Sequence, residues 1–330
     1  MVHGGHTPMR TRALVEGALM AALTAMLALI GIYIPLLQVM TNLFWTIPIV
    51  VVTVRHGISI GIMAIFVAGF LIFSLSSPLT AVFLMLQFGG LALVYGYAFN
   101  KKIQPTVTLL LGVVTAIVSF ILAFYLSFLV FGVDAANLLG QLRESIEPSI
   151  QLYKDMGLLN TSTMTEEAAR QMLQGFVDLI ALIIPAILVF YGITTAIINY
   201  AVAEIVFFKL KTPVPKLPRF MLWHLPWWAV WGFIAGYGAN MAAAYWQNET
   251  LKAVGTNILL VYEMVLFVLG LAVISYFINK YFQGTLLYRL GFMLLLVLFF
   301  KVAGLILIAI GLTDLIFNFR RLPGQTKGAS

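Results

Sequence analysis

The sequence predicts an all-α, polytopic helical membrane protein of about nine (eight to nine) transmembrane helices, and three observations carry that expectation. Hydrophobic residues make up 62% of the 330 and charged residues 9%, with a mean hydropathy of +1.03, which lies outside the range of soluble domains. Apolar windows of about 20 residues recur, each able to cross a ~30 Å hydrocarbon core. The basic residues gather in short loops beside those windows, where they orient a protein in the bilayer. The net charge of +7 therefore does not point to nucleic acid. Cysteine is absent, which excludes disulfides, thiol catalysis and Cys-ligated metal.

The first span, Ala13–Leu36, follows the basic flank Arg10 and Arg12 and stops near Pro35. Its apolar run is too long for a signal peptide and no A-x-A site follows, so it is expected to stay as a span. Ala18 and Ala22 form one small-xxx-small pair, Ala21 and Ala25 another. Small residues let helix backbones approach closely, which supplies packing energy in lipid. The stripe reads either as a docking face for another membrane helix or as ordinary packing within the chain. The second span, Phe44–Val54, is too short to cross alone without tilt, extra residues or a break. Pro48, which lacks a backbone donor, suits a break.

Spans follow at Ile58–Phe73, Thr80–Phe99, Val107–Phe131 and Phe176–Phe208, then Trp227–Tyr245, Thr256–Ile278 and Leu286–Leu312. Loop charges test the first six. Arg10 and Arg12 put the N-terminus in the cytoplasm, and Arg55, His56, Lys101 and Lys102 then fall inside. So does Lys209–Leu222, with Lys209, Lys211, Lys216, Arg219 and no acid. The insertion between spans five and six falls outside, with Arg143, Lys154 and Arg170 against six acids. Nine spans would put Arg320, Arg321 and Lys327 outside, against that bias. This divides the chain into a six-helix unit 1–208 with an external insertion 134–175, a basic cytoplasmic linker 209–226, and C-terminal helices and tail 227–330.

Leu138, Leu142, Ile146 and Ile150 recur in the insertion at helical spacing, interrupted by Pro148. Thr163 followed by Glu166 reads as a capping box opening a second helix that could merge into the sixth span. The pair is either a lid over an external mouth or two interfacial helices on lipid.

An ionisable side chain inside a bilayer costs roughly 2.5–3.5 kcal/mol on insertion scales, so each needs a reason. Lys301, near the middle of the last span, and Glu263, in the span before, read as a substrate counter-ion or relay, or as a structural ion pair. Asp178 and Glu204 fall near span ends, and Glu16 can pair with Arg12 or with Arg55. The uncharged polar set is Gln38, Asn42, Gln87, Asn199, Asn240 and Asn257. Gln38, Asn42 and Trp45 fall near the outer mouth, where amides and an indole could hold a small ligand. Residues of this kind also commonly hydrogen-bond between helices. Trp223, Trp227, Trp228 and Trp231 read as an interfacial belt. Gly57-Ile58-Ser59-Ile60-Gly61 matches G-x-S-x-G but begins a membrane helix instead of closing a strand–turn–helix elbow. No H-E-x-x-H or G-x-x-x-x-G-K-[ST] occurs, so zinc proteolysis and ATP hydrolysis are unsupported. No enzyme activity, cofactor or metal is expected.

Val15-Glu16-Gly17-Ala18-Leu19, the Pro35 break, Ile47-Pro48-Ile49 and Arg55-His56-Gly57 resemble the YybS-like family of predicted bacterial membrane proteins. Gly311-Leu312-Thr313-Asp314 to Asn318-Phe319-Arg320-Arg321 is similar to that family's closing motif, with Asn318 where an acid is usual. Residues 1–208 also resemble, more loosely, the S components of energy-coupling-factor transporters. That resemblance implies both ends of the six-helix unit inside and a ligand held near the outer face under external loops. It further implies that Ala18, Ala21, Ala22 and Ala25 dock a transmembrane coupling subunit served by separate ATPases. The spans after Lys209 and the long insertion depart from the pattern.

The expectation is a multi-pass protein of the bacterial cytoplasmic membrane that captures a small solute as a transport subunit. The alternative is a non-transporting scaffold or regulator of envelope machinery. Candidate ligand-binding residues are Gln38, Asn42, Trp45, Gln87, Glu263 and Lys301. Expected partners are membrane lipid, an unidentified solute and a coupling subunit, with no nucleic acid.

Overall fold

The computed structural model describes residues 8–131, 135–157, 159, 165–282, 291, 294 and 298–322, and every regular element among them is helical. In chain order these are α1 (Pro8–Tyr33), α2 (Gln38–Phe44), α3 (Ile47–His56), α4 (Ile58–Leu75) and α5 (Pro78–Leu84). A π-turn at Met85–Gly89 leads into α6 (Gly90–Asn100), followed by α7 (Pro105–Phe131), α8 (Ala135–Glu144) and α9 (Ile146–Asp155). Then come α10 (Glu166–Lys209), α11 (Val230–Trp246), α12 (Glu249–Tyr281) and α13 (Phe300–Phe317). Among the described residues, six helices are long and apolar enough to cross a membrane: Thr11–Tyr33, Ile58–Leu75, Pro78–Asn100, Pro105–Val130, Glu166–Lys209 and Glu249–Tyr281. The chain is an all-α polytopic membrane protein.

The contacts sort the chain into two compact units, Met1–Asp134 with Tyr191–Leu217, and Ala135–Phe190 with Pro218–Ser330. Helix α10 contributes to both.

In the first unit α3 is the central element, buried from Ile47 through Thr53. Its neighbours come close because they present glycine: a Cβ at Gly61 (α4) or at Gly96 (α6) would overlap the Thr53 side chain. Thr53 turns its hydroxyl onto the Ile49 carbonyl at 2.7 Å, which satisfies its donor where it lies against the glycines. An aromatic column, Tyr95, Phe99, Tyr200 and Phe207, joins α6 to α10. The Tyr95 hydroxyl donates to the Ala196 carbonyl at 2.7 Å. Gly57-Ile58-Ser59-Ile60-Gly61 is a helix–helix corner, with Gly57 at φ 89° between α3 and α4. Only glycine enters that region freely.

In the second unit α12 is the spine. Gly236 and Gly255 bring α11 against its first half, and Gly270 and Gly311 bring α13 against its second half. A Cβ at Gly270 would overlap the Leu307 carbonyl, and one at Gly311 the Leu266 carbonyl. The register runs backwards in both pairs, so α11 and α13 are each antiparallel to α12. In the insertion, Ile146 and Ile150 are buried with Leu159, Ala169 and Val177.

Several expectations change. The helix preceding the sixth span does merge with it, giving 44 continuous residues in α10, roughly 66 Å at 1.5 Å per residue. Its cap is Thr165 instead of Thr163, which lies outside the described residues: the Ala168 amide donates to Thr165 Oγ1 at 3.2 Å. Glu166 is thus the first helical residue and too early to close a capping box. The insertion's helix is interrupted as Pro148 predicts: α8 ends at Glu144 and Pro148 sits in the first turn of α9, where no intrahelical donor is lost. Leu286–Leu312 is not one helix, because Phe299 leaves helical geometry (φ −117°, ψ 36°) and α13 starts at Phe300. An unbroken helix would hold Lys301 near its centre, whereas the break puts it in the first turn of α13.

Candidate functional site

The break in the second span is the most irregular place in the first unit. Pro35 ends α1 and starts a single 3-10 turn, Pro35–Leu37. Helix α2 then runs to Phe44, and Trp45–Thr46 form a turn before α3. Pro48 explains the turn: it has no N–H for the Phe44 carbonyl, and its ring crowds that oxygen. Interrupted backbone at membrane depth is tolerated where protein covers it or where it lines a cavity. Here Thr46 donates to Asn199 Oδ1 of α10 at 2.5 Å, and Asn199 Nδ2 donates on to the Thr195 carbonyl at 2.9 Å.

A second irregularity lies beside the first. The π-turn Met85–Gly89 carries Gln87 and Phe88. Phe88 packs on Trp45 with ring centroids 5.6 Å apart and edge-on to Phe120 at 6.4 Å. Two helix interruptions distant in sequence thus meet through one aromatic contact. Trp45 is 2% exposed, yet its indole Nε1 has no acceptor among the described residues. Thr24 Oγ1 of α1, also fully buried, has no hydrogen-bond partner among them either. Buried polar atoms in that state are rare and need a reason.

Gln38 opens α2 and is exposed, Asn42 one turn later is half-buried, and Gln87 is half-buried in the π-turn. The structure brings Trp45 next to the π-turn that carries Gln87, but Trp45 lies in the core with Phe88 on its ring. Glu263 lies half-buried on α12 in the second unit. Lys301 is in α13, with its side chain outside the described residues. Because Gly270 faces Leu307, Lys301 lies opposite a position about six residues past Gly270. That is roughly 20 Å along α12 from Glu263, so this helix pair does not join the two charges.

The alanine pairs occupy different faces of α1. Ala21 and Ala25 are 0% and 2% exposed, whereas Ala18 and Ala22 are exposed. Ala22 borders an apolar groove of about 460 Å³ between α1 and α4, with Met26, Tyr33, Leu71 and Leu75. The inward face of α1 is Gly17, Ala21, Thr24, Ala28 and Gly31, at alternating four- and three-residue spacing, with Ala25 beside them. That heptad-like run of small residues was open to sequence reading and locates Thr24.

Charged groups outside these positions are mostly committed. Glu16 binds Arg55 and, at 2.8 Å, His56 Nε2, so it takes Arg55 over Arg12. Glu204 accepts from the Leu217 amide at 3.1 Å. Asn257 Oδ1 accepts from the Ala186 amide at 2.8 Å and its Nδ2 donates to the Leu182 carbonyl at 2.7 Å. Those are the two groups that an unbroken α10 would join to each other next to Pro185. Asp314 and Arg320 form a buried ion pair, with Arg320 Nε to Asp314 Oδ2 at 3.0 Å. The guanidinium also donates to the carbonyls of Met221 (2.7 Å) and Trp223 (2.8 Å). Sequence reading found these residues as a closing motif without finding this clamp, because its acceptors lie 97 and 99 residues away.

The chain is 21% identical over 220 residues to the uncharacterized protein YybS of Bacillus subtilis (strain 168), covering 64% of this chain and 67% of that one. No solved structure matches the chain. The model of a family described as predicted membrane protein (DUF2232) matches residues 22–315. That match takes in the helix break, the π-turn and Asp314 of the clamp, and the chain belongs to that family.

Proposed function

We propose that this chain is the solute-binding subunit of a membrane transporter, with a small solute taken at the break in the second span. The observation that carries the reading is the meeting of two helix interruptions at Trp45 and Phe88, with an unpartnered indole N–H at the junction. Interrupted helices are where transporters commonly form their sites, because unwound backbone and freed polar groups become available to a ligand. π-turns likewise concentrate at functional positions. Asn42, on the α2 side of the break, and Gln87, on the π-turn, supply amides near that junction. The outward face of Ala18 and Ala22 is the part of α1 left for a coupling subunit, which would bring the ATPases this chain lacks motifs for.

Purification from the native host in mild detergent, with mass spectrometry of retained proteins and small molecules, tests both parts. The expected result is a retained solute whose binding falls at least tenfold in Trp45→Phe, which keeps the ring and removes the donor. A coupling subunit is expected with the wild type and lost with Ala22→Leu. Recovery of envelope proteins alone, with no solute, overturns this reading in favour of a scaffold.

A further inference from the structure

At one end of the first unit, α6 and α10 finish in the same way. The Ile103 amide reaches the Ala98 carbonyl (2.9 Å) and the Lys102 amide reaches Phe99 (3.1 Å). In α10, the Thr212 amide reaches Phe207 (3.0 Å) and the Lys211 amide reaches Phe208 (3.1 Å). Both are Schellman motifs, whose left-handed residue is ordinarily Gly or Asn. Here both positions are lysine, Lys102 at φ 53° and Lys211 at φ 54°. A left-handed conformation is disfavoured for a residue with a long side chain. Phe99 packs edge-on to Phe207, centroids 6.0 Å apart, which sets the two caps side by side.

The surrounding charge is one-signed. Lys101 and Lys209 precede the caps, and Lys216 lies over the Phe208 ring at 5.3 Å. All five lysines are exposed, and among the described residues none forms an ion pair. The nearby acids are engaged elsewhere, Glu16 by Arg55 and His56 and Glu204 by the Leu217 amide.

We propose that these twin lysine caps, with Lys101, Lys209 and Lys216, form a binding site for the phosphate headgroup of an anionic phospholipid. Lys101, Lys102, Lys209 and Lys211 lie at or just past the ends of apolar helices and Lys216 in the linker that follows α10, so a bound lipid keeps its acyl chains along the helix sides while its phosphate meets the ammonium groups. Exposed apolar residues just before the caps, Tyr97 on α6 and Ile205 and Phe208 on α10, provide that wall. Helix C-terminal dipoles account for one lysine near each end, but not for lysine at both left-handed positions.

The substitution pair Lys102→Asn and Lys211→Asn separates charge from fold, because Asn accepts the left-handed conformation and preserves both caps. The full-length protein is purified in detergent with phosphatidylglycerol or with phosphatidylcholine, and retained lipid is measured by native mass spectrometry. The wild type is expected to retain phosphatidylglycerol selectively. Near-surface lysines each contribute about fivefold, so the double variant should lose roughly thirtyfold in affinity, with a melting temperature equal to or above wild type. Lys101→Gln with Lys216→Gln should show a similar loss without touching the caps. Retention within twofold of wild type in both variants overturns the proposal. So does an equal loss in Lys154→Gln with Lys252→Gln, which would mark a general charge effect. Displacement of phosphatidylglycerol by soluble glycerol phosphate at equal concentration would assign the site to a free phosphate and also overturn it.

Discussion

Beside Pro185 in α10, Asn257 of α12 bonds both the Ala186 amide and the Leu182 carbonyl. Replacing it with Ala takes this partner from the Ala186 amide and the half-buried Leu182 carbonyl, at a cost of about 1–3 kcal/mol. A melting-temperature series in detergent should rank Asn257→Ala well below Asn240→Ala, whose side chain accepts a longer, 3.3 Å bond from Thr256. The Asp314–Arg320 pair is a steeper case. Arg320→Met strands a buried carboxylate and should cost about 3–5 kcal/mol, whereas Asp314→Leu combined with Arg320→Met should recover much of that loss. In the insertion, Glu147 accepts two hydrogen bonds from Arg170 at 2.9 and 3.0 Å. Those bonds hold its carboxyl below the ordinary carboxylate range, followed by the attraction of the same guanidinium. A lowered folded-state pKa stabilises the fold above the ordinary value and loses that contribution as pH falls through the lowered one. Protection factors of the α9 amides, taken relative to the intrinsic exchange rate at each pH, should therefore fall as the pH drops below about 4, and Glu147→Gln should remove that pH dependence.

At the scale of elements, helix contacts depend on where glycine meets a neighbouring backbone. Gly304 and Gly311 lie in the same helix, but a Cβ at Gly304 meets nothing within 4 Å, while one at Gly311 overlaps the Leu266 carbonyl. Gly304→Ala should be neutral or stabilising by up to about 1 kcal/mol. Gly311→Ala should cost about 1–3 kcal/mol, since backbone cannot rotate aside as a side chain can. Unfolding of the two variants in the same detergent checks the contrast. Proline acts through the same geometry. Pro48, Pro78 and Pro148 all sit in the first turn of a helix, where no intrahelical donor is lost, and Pro48 and Pro148 each follow a helix that ends four residues earlier. The effect of each proline follows from its position relative to the helix start, which sequence periodicity resolves only to within a few residues.

At the scale of the molecule, α10 is one helix whose two ends carry different chemistry, acidic Glu166 and Glu167 at the first and Lys209 at the second. The chain has no cysteine, so single introduced cysteines can report sidedness directly. Lys216→Cys and Arg12→Cys should react with an impermeant maleimide from the same side, and Gln151→Cys from the opposite one. Composition alone determined that the protein is a helical membrane protein, because burying so many apolar side chains requires lipid. Local chemistry marked the Pro35 and Pro48 interruptions, the merging of the insertion into the sixth span and the basic loops, since each depends on neighbours a few residues apart. Tertiary structure alone decided that Ala21 and Ala25 face inward while Ala18 and Ala22 face out. It also decided that Trp45 meets the π-turn, that Glu263 and Lys301 stay apart on α12 and α13, and that Arg320 reaches back to Met221 and Trp223. The small-residue run of α1 narrows the choice of its inward face, but the other outcomes depend on helix register and on partners up to about a hundred residues distant, which no local pattern of residues encodes.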